Sequence, residues 1–164
     1  MVDSGQVQKL IATVLRKMNM YSPEAVQLVY RTGLVESNYK YIRQLGTGPA
    51  RGFYQVEPGP SCCMDICKNY LKFRKKLLKT VSEICHLDER YFLEPKIDEW
   101  SEILESSITA GIVMCRLKYR RCPKPLPKKD DIIMQSRYWK KYYNSSLGSG
   151  TPEKFVQTVN HYSK

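Results

Sequence analysis

The sequence predicts an all-α protein. Apolar residues recur at helical spacing in one segment after another, capping residues precede those segments, and no stretch alternates apolar and polar as a strand does. The chain has 164 residues, 42% of them hydrophobic and spread along its whole length, which suits one domain over residues 1–164 with a single core.

The first helix is read from Val7, Leu10, Ile11, Val14, Leu15 and Met18, which share one helical face. Ser22-Pro23-Glu24 then restarts a helix: Ser22 caps, Pro23 suits the first turn, and Glu24 complements the positive end of the dipole. That helix runs through Leu34 and Val35 and puts Glu36 near its C-terminal end. Residues 43 to 60 hold Gly46, Gly48, Pro49, Gly52, Pro58, Gly59 and Pro60, a density that predicts tight turns. Ser61 to Cys85 is expected as one helix with a stripe of Ile66, Tyr70, Phe73, Leu77, Val81 and Ile84. After a short segment from Asp88 to Leu93, broken by Pro95, a long central helix is expected to carry Trp100, Ile103, Leu104, Ser107, Ile108, Gly111, Ile112 and Cys115 on one face. Its small residues Ala110 and Gly111 leave room for another helix. Residues 122–129 form a proline-stiffened connector, Ile132 to Tyr143 is helical, and a Ser/Gly loop follows over Asn144 to Gly150. Thr151-Pro152-Glu153 repeats the cap-proline-acid start and opens the last helix. The expectation is about six or seven helices.

The net charge of +11 points to a polyanionic partner: nucleic acid, a membrane surface, or a bacterial wall with its acidic polymers. No segment approaches the length of a membrane span, so no insertion is expected. Met1-Val2-Asp3-Ser4-Gly5-Gln6 lacks a basic region followed by an apolar run, so no secretory signal is expected. The protein is then expected in the cytoplasm of the producing cell or inside a particle. The six cysteines contain no C-x2-C pair and read as reduced, mostly buried thiols; no metal and no cofactor is expected.

The chemistry sits in two short segments. Glu36 lies in Gly33-Leu34-Val35-Glu36-Ser37-Asn38-Tyr39, and Gln55 follows at the end of Gly48-Pro49-Ala50-Arg51-Gly52-Phe53-Tyr54-Gln55. A carboxyl at the negative end of a helix with apolar neighbours is expected to hold its proton to unusually high pH, as a general acid must.

These segments resemble the lytic transglycosylase and goose-type lysozyme superfamily. There a helix ends in Glu-Ser, a loop follows, and a Gly-Ala-x-Gly-Leu-Met-Gln turn lines the substrate. Tyr142-Tyr143-Asn144-Ser145-Ser146-Leu147-Gly148 is similar to a divergent form of the superfamily's later Ala-Tyr-Asn-Ala-Gly element. The order matches over residues of about 24 to 160, and Pro49 and Glu57-Pro58 look most like small phage or prophage members. Phe53-Tyr54 replaces Leu-Met, the Ala-Gly after Tyr-Asn is missing, and the loop between Ser37 and Gly48 lacks the usual Asn-Pro-x-Ala.

The resemblance implies a lysozyme-like helical fold that cleaves the β-1,4 bond of peptidoglycan, with Glu36 as catalytic acid and base. It implies Ser37, Tyr54, Gln55, Tyr143 and Asn144 as substrate-side residues, with Ser37 orienting Glu36 and Tyr54 stacking on a sugar. A transglycosylase works with one carboxylate, whereas ordinary hydrolases need two; Glu57 and Asp65 are the candidates for a second. The expected partners are glycan strands and, from the phage likeness, virion proteins. The alternative is a non-catalytic basic virion or nucleic-acid-binding protein on the same fold.

Overall fold

The computed structural model describes residues 2–144 and 148–162. The described residues are mostly helical and contain no strand; the only β-type pairings are isolated bridges of Arg51 with Arg43 and with Val56. Nine α-helices, rather than six or seven, are found among them, because two expected long helices are each divided.

Helix α1 (Ser4–Lys17) starts where Asp3 accepts a hydrogen bond from the Gln6 amide at 2.9 Å, and it buries Val7, Ile11, Val14 and Leu15. Helix α2 (Pro23–Ser37) starts as expected, with Ser22 Oγ accepting from the Ala25 amide at 3.1 Å. It ends where Asn38 turns left-handed, at φ 54°.

The expected helix over 61–85 is instead α3 (Cys63–Asn69), a 3-10 turn (Leu71–Phe73) and α4 (Lys75–Cys85). In an uninterrupted helix the Tyr70 carbonyl would accept from the Arg74 amide. Here the Arg74 amide donates to Leu71 O at 2.8 Å, while the Arg74 guanidinium donates to Tyr70 O at 3.0 Å and lies over the Tyr70 ring. The buried face is also rotated from the expected one. Ile66 and Val81 of the expected stripe are buried, but Leu71, Leu78 and Cys85 turn inward beside them and Phe73 is 72% exposed.

After the short α5 (Arg90–Leu93), the expected central helix divides into α6 (Ile97–Ser106) and α7 (Ile108–Arg120). The division falls at Ser107, which is extended at φ −128° and ψ 104° and accepts from the Ala110 amide through Oγ at 3.1 Å. Serine competes for backbone donors in this way and favours a cap over a helix interior.

Helix α7 is the centre of the molecule. Ala110 through Cys115 and Leu117 are fully buried, and the helix contacts α1, α2, α3, α4 and α6. Gly111 does not receive a helix as expected; it receives the Tyr54 ring, whose Cδ2 would stand 2.9 Å from an added Cβ. The proline connector leads to α8 (Ile132–Trp139), which continues as a π-helical segment (Lys140–Asn144). Residues 145–147 of the expected Ser/Gly loop lie outside the described residues. Helix α9 (Pro152–Tyr162) opens with Thr151 Oγ1 accepting from the Lys154 amide at 3.2 Å, and packs on α8 and α2.

The glycine-rich stretch is a folded corner. Arg51 and Val56 exchange backbone hydrogen bonds at 2.9 and 3.0 Å, and the Gly52 amide donates to Ile42 O at 2.8 Å. Glu105 on α6 holds the corner from outside, its Oε1 lying 2.9 Å from Nε of both Arg43 and Arg51. Gly52 sits at φ 69°, and a Cβ there would stand 2.5 Å from the Leu104 carbonyl oxygen. Gly52→Ala is therefore expected to destabilise the fold by about 1–3 kcal/mol, read as a lowered midpoint in thermal or urea denaturation.

Candidate active site

Glu36 occupies the last turn of α2 and lines a cleft of about 1010 Å³. The chain after it is fastened by Ser37, whose hydroxyl donates to Phe53 O at 2.7 Å and accepts from the Tyr39 amide at 3.1 Å. Tyr39 then folds back over α2, where Gly33 leaves room for its ring, and its hydroxyl donates to Tyr30 O at 2.9 Å. Asn38 and Tyr39 are both left-handed, at φ 54° and 49°. This reversal ties the helix end to the glycine-rich corner through Ser37.

Of the six residues expected at the site, Glu36, Ser37, Gln55, Tyr143 and Asn144 line this cleft. Gln55 sits at φ 47°, with Nε2 donating to Gly52 O at 2.9 Å. Asn144 Oδ1 accepts from Lys140 Nζ at 2.9 Å, and the same ammonium donates to Gly148 O at 2.7 Å. Tyr143 donates from its hydroxyl to Tyr54 O at 2.6 Å, and its own carbonyl accepts from Lys118 Nζ at 2.7 Å.

Tyr54 is the exception. Its side chain is 0% exposed, set edge-on against Tyr39 with ring centroids 6.0 Å apart, and is not part of the cleft lining. The expected stacking on a sugar is corrected: Tyr54 is a core residue whose carbonyl anchors Tyr143. An aromatic ring that does face the cleft is Tyr41, 44% exposed. Ser37 is buried and committed to Phe53 and Tyr39, so it anchors the helix end instead of reaching the carboxylate.

The sequence reading missed Trp139. Its indole Nε1 donates to Glu36 Oε1 at 2.8 Å across 103 residues of chain. The ring is buried, packed against Phe155 with centroids 5.4 Å apart. The available signal was the residue type, since a buried tryptophan needs an acceptor for its N–H.

Among the carboxylates, Glu57 reaches the cleft, where Ser61 Oγ donates to its Oε2 at 2.9 Å. Asp65 lies outside the cleft lining, with Asn69 and Arg121 hydrogen-bonded to it and holding its carboxyl below the usual range. No group of three or more His, Cys, Asp or Glu among the described residues is placed to hold a metal. Five cysteines are buried and Cys122 is partly so.

No known family, curated protein or solved structure matches this chain. The chemistry is therefore argued from the site itself.

Burial raises the Glu36 carboxyl from an ordinary 4.5 to about 7, against the opposing pull of the Trp139 N–H and of the Lys118 and Lys154 charges. Near neutrality the group divides between acid and carboxylate, as required of one that both donates and accepts a proton. The elevation has a consequence for stability. Folding strengthens proton binding at Glu36, so the cost of ionising it is absent below about pH 4.5, grows as pH rises, and levels off above about pH 7 at about 3 kcal/mol. Glu36→Gln removes that ionisation. The variant is expected to gain thermal stability relative to wild type between pH 5 and pH 8, checked by melting both proteins across that range.

Proposed function

We propose that the protein degrades peptidoglycan, cleaving the β-1,4 bond between N-acetylmuramic acid and N-acetylglucosamine on a lysozyme-like helical fold. The observation that carries this reading is Glu36, a carboxyl titrating near pH 7 in the wall of a large cleft. The co-location of Gln55, Tyr143 and Asn144 with Glu36 around that cleft supports it, because these residues match positions in the superfamily's three elements.

In this reading protonated Glu36 gives its proton to the glycosidic oxygen as the bond to the sugar's C1 breaks. The N-acetyl group of the same sugar assists departure, and Glu36, now a carboxylate, takes the proton from the 6-hydroxyl as that oxygen bonds to C1. The product is a 1,6-anhydro sugar and no water is consumed. A hydrolase would use a second carboxylate to engage water or C1. Glu57 is the cleft residue available for that route, and Asp65, paired with Arg121 outside the cleft, is not.

Glu36→Gln is expected to abolish clearing in a peptidoglycan zymogram, while wild-type activity falls as pH rises through about 7 and the acid loses its proton. Mass spectrometry of the wild-type products is expected to show ends lighter by one water than reducing ends. Reducing ends instead would assign hydrolysis.

Tyr41 offers an exposed ring at the cleft for a sugar face. Tyr41→Ala is expected to raise KM on glycan strands roughly tenfold, the scale of one lost aromatic contact, with kcat changed little.

The net charge of +11 favours a second reading, a basic binding protein without catalysis. Absence of clearing by the wild type together with salt-dependent retention of DNA is the outcome that would select it.

A further inference from the structure

We infer that Trp139 is a positioning residue for Glu36: its indole N–H fixes one carboxyl oxygen and leaves the other to serve the cleft. The inference deepens the reading of Glu36 as the acid, but its geometry stands apart from any activity.

The contact is built from three sides. Trp139 is 1% exposed and closes α8, just before the π-helical segment begins. Phe155 of α9 packs on its ring, and Gly150 packs against its edge so closely that a Cβ would stand 2.5 Å from Cη2. Held in this way, Nε1 has one described acceptor, Glu36 Oε1 at 2.8 Å. Oε2 accepts no hydrogen bond from any described residue. A carboxyl rotates about its terminal torsion over a broad range when nothing holds it. One donor on a rigid indole removes that freedom, and placing a proton donor within bonding reach of its target is a large part of acid catalysis.

The same bond favours the ionised form of Glu36, because the N–H donates more strongly to a carboxylate than to a neutral acid. The other groups acting on or near the carboxyl are Lys118, Cys115 and Tyr119 on α7, Tyr143 in the π-helical segment, and Lys154 on α9. Their phenols and the thiol stay protonated near neutrality, since burial raises all of them. Across pH 5 to 9 the indole should therefore sense Glu36 above all else nearby.

The decisive experiment is optical and needs no substrate. The chain has two tryptophans, and the other, Trp100, is buried and donates to Tyr91 O at 2.8 Å. Tryptophan emission of the wild type, titrated from pH 5 to 9, is expected to show one transition with its midpoint near 7 that Glu36→Gln removes. A wild type without a transition overturns the proposal. So does an equal transition in Glu36→Gln, which would assign the signal to a group other than Glu36.

Trp139→Phe keeps most of the ring packing and deletes the N–H. On soluble glycan strands its kcat is expected to fall on the order of tenfold with KM within about twofold, and the alkaline limb of its pH profile is expected to move to higher pH. An unchanged limb overturns the inference, because loss of packing alone would lower kcat and leave the limb in place. If Trp139→Phe does not fold, the wild-type and Glu36→Gln titrations still decide. An optical transition without any peptidoglycan clearing would sustain the Trp139–Glu36 coupling and defeat the enzymatic reading, so the two fail separately.

Discussion

The cleft depends on the placement of the Tyr54 ring against the bare Cα of Gly111. That contact brings the glycine-rich corner down onto the central helix, and the rest of the site is referenced to it. Through its carbonyl, Tyr54 receives the Tyr143 hydroxyl and so draws in the π-helical segment. Through its ring it meets Tyr39, which in turn covers α2 where Gly33 leaves space. Three chain segments that share no local sequence are thus located by one buried tyrosine. A substituent on Gly111 would separate them together, because close-packed interiors accommodate even one added carbon poorly.

The local parts of this architecture were legible in the sequence. Ser22-Pro23 and Thr151-Pro152 announce helix starts because a cap and its amide lie three residues apart, within a single reading window. Glu36 was placed at the end of α2 for the same reason. The errors share a cause as well. Ser107 carries an apolar register through it, so the pattern cannot register that its hydroxyl caps a new helix instead of lying inside an old one. Leu71, Leu78 and Cys85 flank the inferred stripe, of which Ile66 and Val81 are buried, and only the neighbours of α3 and α4 decide which flanking residues turn inward. The resemblance implies Tyr54 at a sugar because it lies in the matching turn beside Gln55, whereas Gly111, far along the chain, takes its ring inside. Trp139 was missed altogether, since nothing near it in sequence indicates that its acceptor is Glu36.

The electrostatics of Glu36 show how a helix end and a cleft divide the work. The expectation rested on apolar neighbours and on the negative pole of α2. Burial is the leading cause, and it acts against three stabilising influences contributed by other elements. Trp139 comes from α8, Lys118 from α7 and Lys154 from α9, so each flank of the cleft restrains the elevation. Without them burial alone would raise the carboxyl further, and the group would give up its proton less readily. With stronger ones, such as a direct ion pair to Lys118, it would remain ionised and have no proton to give. Lys118 is diverted from that pairing because its ammonium donates to the Tyr143 carbonyl and lies 4.1 Å from the centre of that ring.

The diversion of Lys118 also bears on the choice between one carboxylate and two. A buried acid beside a free ammonium would resemble a salt bridge, and a second carboxylate would be needed to carry the proton. Here the cation serves the backbone of the π-helical segment and leaves Glu36 with the neutral indole N–H as its hydrogen-bond donor. A neutral donor restrains a carboxyl in both protonation states, whereas an ion pair favours only one of them strongly. A group that must first give a proton and then take one back, with no partner to share the task, requires that tolerance. Glu57 stands at the same cleft but is exposed and bonded to Ser61, without the enclosure that sets Glu36 apart. The asymmetry between the two carboxylates is thus one of surroundings, and it supports the proposed mechanism, in which a single residue acts twice.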